Sequence, residues 1–220
     1  MMLRQSLLTE VESKELLGKA RIPVIETKLA KSKKEAVSIS KEMGFPVVLK
    51  ICSPDVVHKS DSGGVKLGLA NATQAGKAYS EIISSIKQEY PKALVQGVSV
   101  QPMARPGIEV IVGMSKDPQF GPVLMFGLGG ILVEVLKDVS FRIVPVSKND
   151  AKEMIKELKG YPILEGYRGQ KPANISALVD LIVEVSRFVE QNPQIKELDL
   201  NPVMAYEDKV VALDARIILE

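Results

Sequence analysis

The stretch Pro46–Leu69, PVVLKICSPDVVHKSDSGGVKLGL, joins two apolar runs through a polar segment that ends in a double glycine. The runs at 46–51 and 65–69 are rich in valine and leucine, which predicts two β-strands. His58, the only histidine in the 220 residues, lies in the polar segment between them. A lone histidine is more often structural than catalytic, but this one does not lie on an apolar face. We therefore predict a loop between two strands, and its polar context weakens the packing explanation for the histidine but leaves both a structural and a functional role open.

Length and composition limit the classes of function. With 45% hydrophobic and 25% charged residues and a net charge of +2, the chain is typical of a globular protein without a nucleic-acid or membrane partner. Cys52 is the only cysteine, which excludes an internal disulfide, and its apolar context predicts a small buried side chain. The longest uncharged stretch, 118–133, is shorter than the about 20 residues of a transmembrane helix. Because the N-terminus lacks a signal-peptide pattern, we expect a cytoplasmic protein.

Helix and strand patterns alternate along the chain, which predicts an α+β fold of two α/β lobes. Ser32–Glu35 is a capping box that opens a helix ending at Gly44. The other predicted helices are 11–19, 71–91, 146–160 and 175–193, and the later strands are 93–103, 107–115, 196–206 and 209–219. The segment 120–146 is predicted to form either two or three strands, or a strand, a Gly-rich loop and a short helix. We predict an N-terminal lobe of residues 1–102, which includes the His58 loop, and a C-terminal lobe of residues 103–220.

Several apolar runs contain one charged residue each. These residues are Lys50, Glu109, Glu134, Arg142 and Asp214. A half-buried strand exposes alternate residues to water, so each charge taken alone is explained without a function.

The C-terminal hairpin adds a spatial argument. A two-residue turn at Glu207 and Asp208 places Asn201 opposite Asp214, and Asp199 lies on the same face as Asn201. Their oxygen atoms would suit Mg²⁺ bound to a nucleotide. A solvated hairpin face is the alternative, and Pro202 would shift the register if it introduced a bulge.

The ordered motifs resemble the ATP-grasp superfamily, and more closely the β-subunit of ADP-forming acyl-CoA (acetyl-CoA) synthetases, relatives of the succinyl-CoA synthetase β-subunit. The resemblance covers nearly the whole chain through the segments 44–51, 58–69, 109–142, 197–203 and 212–217. It implies an ATP-grasp fold with the nucleotide site between the two lobes, and ATP/ADP and Mg²⁺ as cofactors.

The resemblance also implies which residues bind the nucleotide and which bind Mg²⁺. Lys50, Gly63 and Gly64 would approach the nucleotide phosphates, Gln101 and Met103 the adenine, and Glu109 the ribose. Asn201 and Asp214 would hold Mg²⁺ with support from Asp199, and Arg142 lies in the nucleotide-binding segment without a specific role.

His58 acquires a role through the same resemblance. These enzymes relay a phosphoryl group through histidines, and neutral imidazole is nucleophilic near pH 7. The implied reaction converts acyl-CoA, ADP and phosphate into a carboxylic acid, CoA and ATP. The chain has no second histidine and no CoA-binding pattern, so a CoA- and acyl-binding α-subunit is implied, in an α₂β₂ assembly.

Three other functions remain open from the sequence. Another ATP-grasp ligase, such as a succinyl-CoA synthetase β-subunit or a carboxylate–amine ligase, would use the same nucleotide site. A non-catalytic regulatory subunit would bind ATP without turnover. An α/β scaffold with scattered strand charges would have neither property.

Overall fold

The computed structural model describes residues 6–56, 59, 61–130, 136–169 and 171–220. Two of the predicted functional positions, His58 and Glu134, lie outside the described residues.

The described helices and strands alternate as the sequence predicts. The helices are α1 Glu10–Lys19, α2 Lys33–Met43, α3 Ala72–Glu89, α4 Lys148–Lys156, α5 Tyr161–Leu164 and α6 Ile175–Gln191. The strands are β1 Ser6–Leu7, β2 Lys28–Ala30, β3 Val47–Cys52, β4 Val65–Leu69, β5 Gly97–Pro102, β6 Ile108–Asp117, β7 Gly121–Leu128, β8 Val139–Ile143, β9 Ile195–Ala205, β10 Val210–Ala212 and β11 Arg216–Leu219.

The chain divides into two compact units. Unit 2 contains Thr9–Glu12 and Ile25–Arg105, and unit 1 contains the residues up to Leu8, Ser13–Val24 and Pro106–Glu220. The predicted lobe boundary after residue 102 thus lies close to the junction of the units in the chain. Residues 13–24 group with the C-terminal half instead of the N-terminal half, because their buried Leu17 and Ile22 pack in the core of unit 1.

Unit 2 is built on an antiparallel sheet with the strand order β2-β5-β3-β4. Its core joins apolar residues of the sheet to those of α2 and α3. Strand β3 lies inside the sheet and is buried at every position, which matches its continuous apolar sequence. The predicted strand 93–103 begins only at Gly97, because Gly97 pairs with Cys52, the last residue of β3. Cys52 is buried as predicted, and this burial raises the pKa of its thiol.

Unit 1 is built on a larger sheet with the order β1-β11-β9-β6-β7-β8, in which β10 also pairs with β9. All of its strand pairs are antiparallel. The apolar face of α6 is buried in the core of this unit; it consists of Leu178, Leu181, Ile182, Val185 and Val189.

The helix ends follow local sequence signals. Ser32 caps α2 by accepting a hydrogen bond from the Glu35 N–H at 3.2 Å, as predicted. The Glu35 carboxylate accepts from the Lys31 N–H at 2.7 Å, one residue before the cap. Gly44 ends α2 with a positive φ of 81°, a conformation that glycine adopts without strain.

The C-terminal hairpin keeps the predicted register on both sides of an interruption. Ala212 pairs with Val203, and Arg216 pairs with Asp199, so the register continues unchanged past Pro202. The predicted single strand 209–219 is divided into β10 and β11 by residues 213–215. The edge of β9 that pairs with β6 does have an irregularity close to Pro202: the register between these two strands shifts between Val110 and Val112.

Among the described residues, no helix is both long enough and apolar enough to cross a lipid bilayer.

Candidate functional site

Lys50 is a buried cation on an internal strand. It is 7% exposed, and β3 pairs with β5 on one side of it and with β4 on the other. Its Nζ lies 2.8 Å from Oε1 of Glu10. A buried ammonium group is costly unless a charged or polar partner compensates it, so this contact accounts for how unit 2 holds a lysine here.

Glu10 is a functional candidate that the sequence analysis missed. Its side chain is 1% exposed, and its second oxygen, Oε2, lies 2.7 Å from Nζ of Lys59. Thr9 and Glu12 form a capping box: the Thr9 N–H donates to Glu12 Oε2 at 2.8 Å, and the Glu12 N–H donates to Thr9 Oγ1 at 3.4 Å. This box places Glu10 in the first turn of α1, where the helix dipole favours a negative charge.

The double glycine closes a turn next to β3. The Gly64 N–H donates to the carbonyl oxygen of Lys59 at 2.7 Å, and the Gly64 carbonyl accepts from the Ile51 N–H at 2.7 Å. A Cβ atom at Gly64 would lie 2.7 Å from Cγ2 of Ile51 and 2.8 Å from the Lys59 oxygen. Close packing therefore requires glycine at 64, and Gly63, with a φ of 68°, adopts the left-handed conformation. The Gly64 amide donates within the turn, and the predicted phosphate contact of these glycines stays a prediction.

We expect Gly64→Ala to lower the free energy of unfolding by about 1–3 kcal/mol, because a methyl group would be forced against the Lys59 carbonyl and Ile51. Chemical denaturation measures this loss. Gly68→Ala is a useful comparison, since no atom lies within 4 Å of a Cβ there and only its positive φ opposes the change. Equal stability of Gly64→Ala and the wild type would contradict the packing argument.

The predicted adenine-contacting residues lie at the end of β5. Gln101 is buried, and the Thr27 hydroxyl donates to its Oε1 at 3.5 Å. Met103 has an exposed side chain, and its N–H donates to the Pro46 carbonyl at 2.9 Å. Both positions belong to unit 2, as does Lys50.

In unit 1, the predicted metal ligands lie around the interruption of the hairpin. Asp199 and Asn201 belong to β9, and Asp214 lies between β10 and β11, at the position that the unchanged register places opposite Asn201. Burial raises the pKa of the Asp199 carboxyl, the Arg216 guanidinium opposes this shift, and the negative charge of Asp214 adds to it. The electrostatic influence of Asp214 indicates that the two carboxylates are near each other.

These three residues offer two carboxylates and one amide. Among the described residues, no group of three or more His, Cys, Asp or Glu side chains could hold a metal ion. The donor set of two carboxylates and one amide suits a cation that keeps water and ligand oxygens.

A buried lysine supports the interruption that carries Asp214. Lys14 is 3% exposed, and its Nζ donates to the carbonyl oxygen of Leu213 at 2.7 Å. The Asp214 carboxylate accepts from the N–H of Ala215 at 2.9 Å. Both contacts fix the backbone at the position of the predicted metal ligand.

Glu109 and Arg142 have more ordinary surroundings. Glu109 is exposed on β6, and its carbonyl accepts from the Gly129 N–H at 2.7 Å. The Arg142 guanidinium is paired with both carboxylate oxygens of Glu157, which raises the pKa of Arg142. This pair joins β8 to the end of α4 and gives Arg142 a structural role, while its predicted nucleotide contact stays a prediction.

Comparison with known proteins identifies the family. The ATP-grasp domain family matches residues 2–219 of the chain. The chain belongs to the ATP-grasp family. This ATP-grasp chain is 54% identical over 212 residues to the β-subunit of acetate–CoA ligase (ADP-forming) I from Pyrococcus furiosus, an alignment that covers 96% of this chain and 91% of that subunit. It is 48% identical over 212 residues to acetate–CoA ligase (ADP-forming) I of Archaeoglobus fulgidus, where the alignment covers 93% of this chain but 31% of that protein.

Solved structures are also similar to this ATP-grasp chain. An acetyl-coenzyme A synthetase of Ca. Korarchaeum cryptofilum, in complex with coenzyme A and Ca-AMPCP, superposes with a TM-score of 0.95 at 51% identity, covering 97% of this chain and 93% of that one. Two further structures of that synthetase, with the same coverage and 48% identity, have TM-scores of 0.90 and 0.86. One contains a phosphorylated phosphohistidine segment, and in the other that segment points towards the nucleotide binding site, with Mg-AMPPCP bound. The resemblance and the ATP-grasp fold inferred from the sequence are confirmed.

Proposed function

We propose that this chain is the nucleotide-binding β-subunit of an ADP-forming acyl-CoA ligase of the acetate–CoA type. The observation that carries the proposal is the 54% identity to such a β-subunit over nearly the full length of both chains. The buried Lys50, held by Glu10, supports the proposal because a preorganised cation is what a nucleotide phosphate requires.

His58 is the proposed phosphoryl carrier. In the direction of ATP synthesis, a phosphoryl group bonded to an imidazole nitrogen passes to a terminal oxygen of ADP: the N–P bond breaks, an O–P bond forms, and the imidazole takes up one proton from water, so that neutral imidazole remains. The phosphohistidine segment named in structures of the related synthetase supports this assignment. His58 itself lies outside the described residues.

Nucleotide and Mg²⁺ are the proposed cofactors. Lys50 would bind the phosphates, Gln101 and Met103 the adenine, and Glu109 the ribose. The oxygen atoms of Asn201, Asp214 and Asp199 fit Mg²⁺, because hard oxygen donors suit this ion and a cation would relieve the repulsion between the two carboxylates. When bound, Mg²⁺ would neutralise charge on the nucleotide phosphates.

We expect Asp214→Asn to raise the Mg²⁺ concentration needed for half-maximal activity about tenfold or more, since the amide keeps the shape but removes the charge. A titration of activity against Mg²⁺ measures the change. Asp208→Asn, the same exchange at the exposed turn of the hairpin, serves as the control. An unchanged Mg²⁺ requirement in Asp214→Asn would remove Asp214 from the metal site.

A separate CoA- and acyl-binding α-subunit is the proposed partner. The alignment covers 31% of the Archaeoglobus ligase, so most of that single-chain relative lies outside the part that aligns with this chain. An α₂β₂ assembly in the cytoplasm is part of the same proposal.

The experiment that tests the function uses the chain together with its co-purified partner. ATP formation is followed with acetyl-CoA, ADP, phosphate and Mg²⁺, and succinyl-CoA replaces acetyl-CoA in a parallel assay. We expect ATP and free CoA in equal amounts from acetyl-CoA. Turnover of succinyl-CoA alone would support the succinyl-CoA synthetase alternative, and nucleotide binding without turnover of either thioester would support the regulatory alternative.

A further inference from the structure

Glu10, Lys50 and Lys59 form a charged triad within unit 2. Each oxygen of the Glu10 carboxylate receives one ammonium group, from Lys50 at 2.8 Å and from Lys59 at 2.7 Å. The three residues come from distant parts of the chain: the first turn of α1, the internal strand β3 and the turn that follows His58. The Glu10 and Lys50 side chains are 1% and 9% exposed, and that of Lys59 is 20% exposed.

The backbone fixes each member of the triad. The capping box of Thr9 and Glu12 fixes the start of α1. Lys50 lies on β3, which is paired with β4 on one side and with β5 on the other. The Lys59 carbonyl accepts from the Gly64 N–H at 2.7 Å. A lysine has a flexible four-carbon stem, so the carboxylate of Glu10, held in place in this way, determines where the ammonium group of Lys50 lies.

The Glu10 carboxylate and a nucleotide phosphate would compete for the ammonium group of Lys50, and Lys59 reduces this competition. If Lys50 turns to a nucleotide phosphate, it must weaken its contact with Glu10, and a buried carboxylate that loses a cation is strongly destabilised. Lys59 contacts the other oxygen and continues to neutralise Glu10 during this change.

We propose that Lys59 is a positioning residue for the nucleotide phosphates: it neutralises Glu10, so that Lys50 can turn from this carboxylate to phosphate. This inference rests on the proposed function, which assigns Lys50 to the phosphates. Lys59 does not contact the nucleotide in this arrangement, and it acts through Glu10 and Lys50.

The test is a calorimetric titration of ATP with Mg²⁺ into the full chain and four variants: Lys59→Met, Glu10→Gln, the double variant and Glu15→Gln. Lys59→Met leaves Glu10 to compete with phosphate for Lys50, and we expect about fivefold weaker binding. Glu10→Gln removes the competitor, and its affinity stays within about twofold of the wild type or improves. In the double variant the affinity returns to within about twofold of the wild type, because the lost lysine has no carboxylate to neutralise.

The matched control is Glu15→Gln, which makes the same exchange at an exposed position of α1 and should bind as the wild type does. Binding stoichiometry near one per chain verifies that each variant is folded. A double variant that binds as weakly as Lys59→Met would overturn the proposal. If the ion pair between Glu10 and Lys59 were only structural, removing both partners would weaken binding as much as removing Lys59 alone.

Two other results would also overturn it. One is wild-type affinity in Lys59→Met, and the other is equal weakening in Lys59→Met and Glu10→Gln. If Glu10→Gln does not fold, Lys59→Met decides the matter alone, since its side chain is the most exposed of the three. Failure of the proposed function is separate, because the wild-type chain would then bind no nucleotide or form no ATP with its partner.

Discussion

Replacing His58 with alanine is expected to lower the rate of ATP formation at least about a thousandfold, because a covalent carrier has no substitute in the chain. Nucleotide binding should remain within about twofold of the wild type, since the phosphate, adenine and metal contacts are assigned to other residues. Coupled detection of ATP from acetyl-CoA, ADP and phosphate measures the first effect, and calorimetry measures the second.

Asp61→Asn is the matched control for this variant. It changes a polar side chain in the same segment without removing a nucleophile, and it should retain most of the activity. A parallel loss of nucleotide binding and activity in His58→Ala would instead indicate that the histidine is structural. Full activity in His58→Ala would favour a direct ligase without a phosphohistidine.

The second large effect is expected at Lys50. Lys50→Met keeps the length of the buried stem but removes the ammonium group that stabilises the charge on the transferring phosphoryl group. Loss of one such preorganised group typically lowers kcat by about 10²–10³. Nucleotide affinity should fall as well, because the same cation binds the ground-state phosphates.

Lys66→Met controls for the loss of a lysine from the same sheet. Lys66 lies on β4, and its Nζ is 3.2 Å from Oε2 of Glu81 on α3. Its ion pair is therefore with Glu81, whereas that of Lys50 is with Glu10. Loss of Lys66 should leave kcat within about twofold of the wild type. If Lys50→Met and Lys66→Met had the same small effect, Lys50 would be a structural cation that Glu10 merely neutralises.

Burial distinguishes charged residues that the sequence presents as equivalent. Lys50, Glu109 and Arg142 each stand alone in an apolar run, yet only Lys50 is buried on an internal strand. Glu109 is exposed near the start of β6, whose next five residues are buried, and Arg142 finds its partner in Glu157. A single sequence gives the period of a strand but does not show which sheet neighbours cover each face.

The hairpin shows what local rules predict and what they leave out. The turn at Glu207 and Asp208 sets the register, and the observed pairs Ala212 with Val203 and Arg216 with Asp199 confirm it. At the interruption at 213–215, the buried Lys14 donates to the Leu213 carbonyl from 199 positions earlier in the chain. No local pattern indicates that contact.

Glu10 was missed for the same reason. The sequence around it has the composition of an exposed helix, and the capping box of Thr9 and Glu12 indicates only where α1 begins. Its contacts with Lys50 and Lys59 join residues 40 and 49 positions apart. Such non-local pairing of charges becomes visible only when the fold brings the elements together.

Phosphohistidine formation is the most direct test of the relay through His58. The chain, alone and with its co-purified partner, is incubated with Mg²⁺ and ATP labelled in the γ-phosphate, beside His58→Ala. We expect a protein-bound label that is stable in base, is lost in acid and is absent from the variant. Nucleotide binding without any such label, even with the partner present, would contradict the relay through His58.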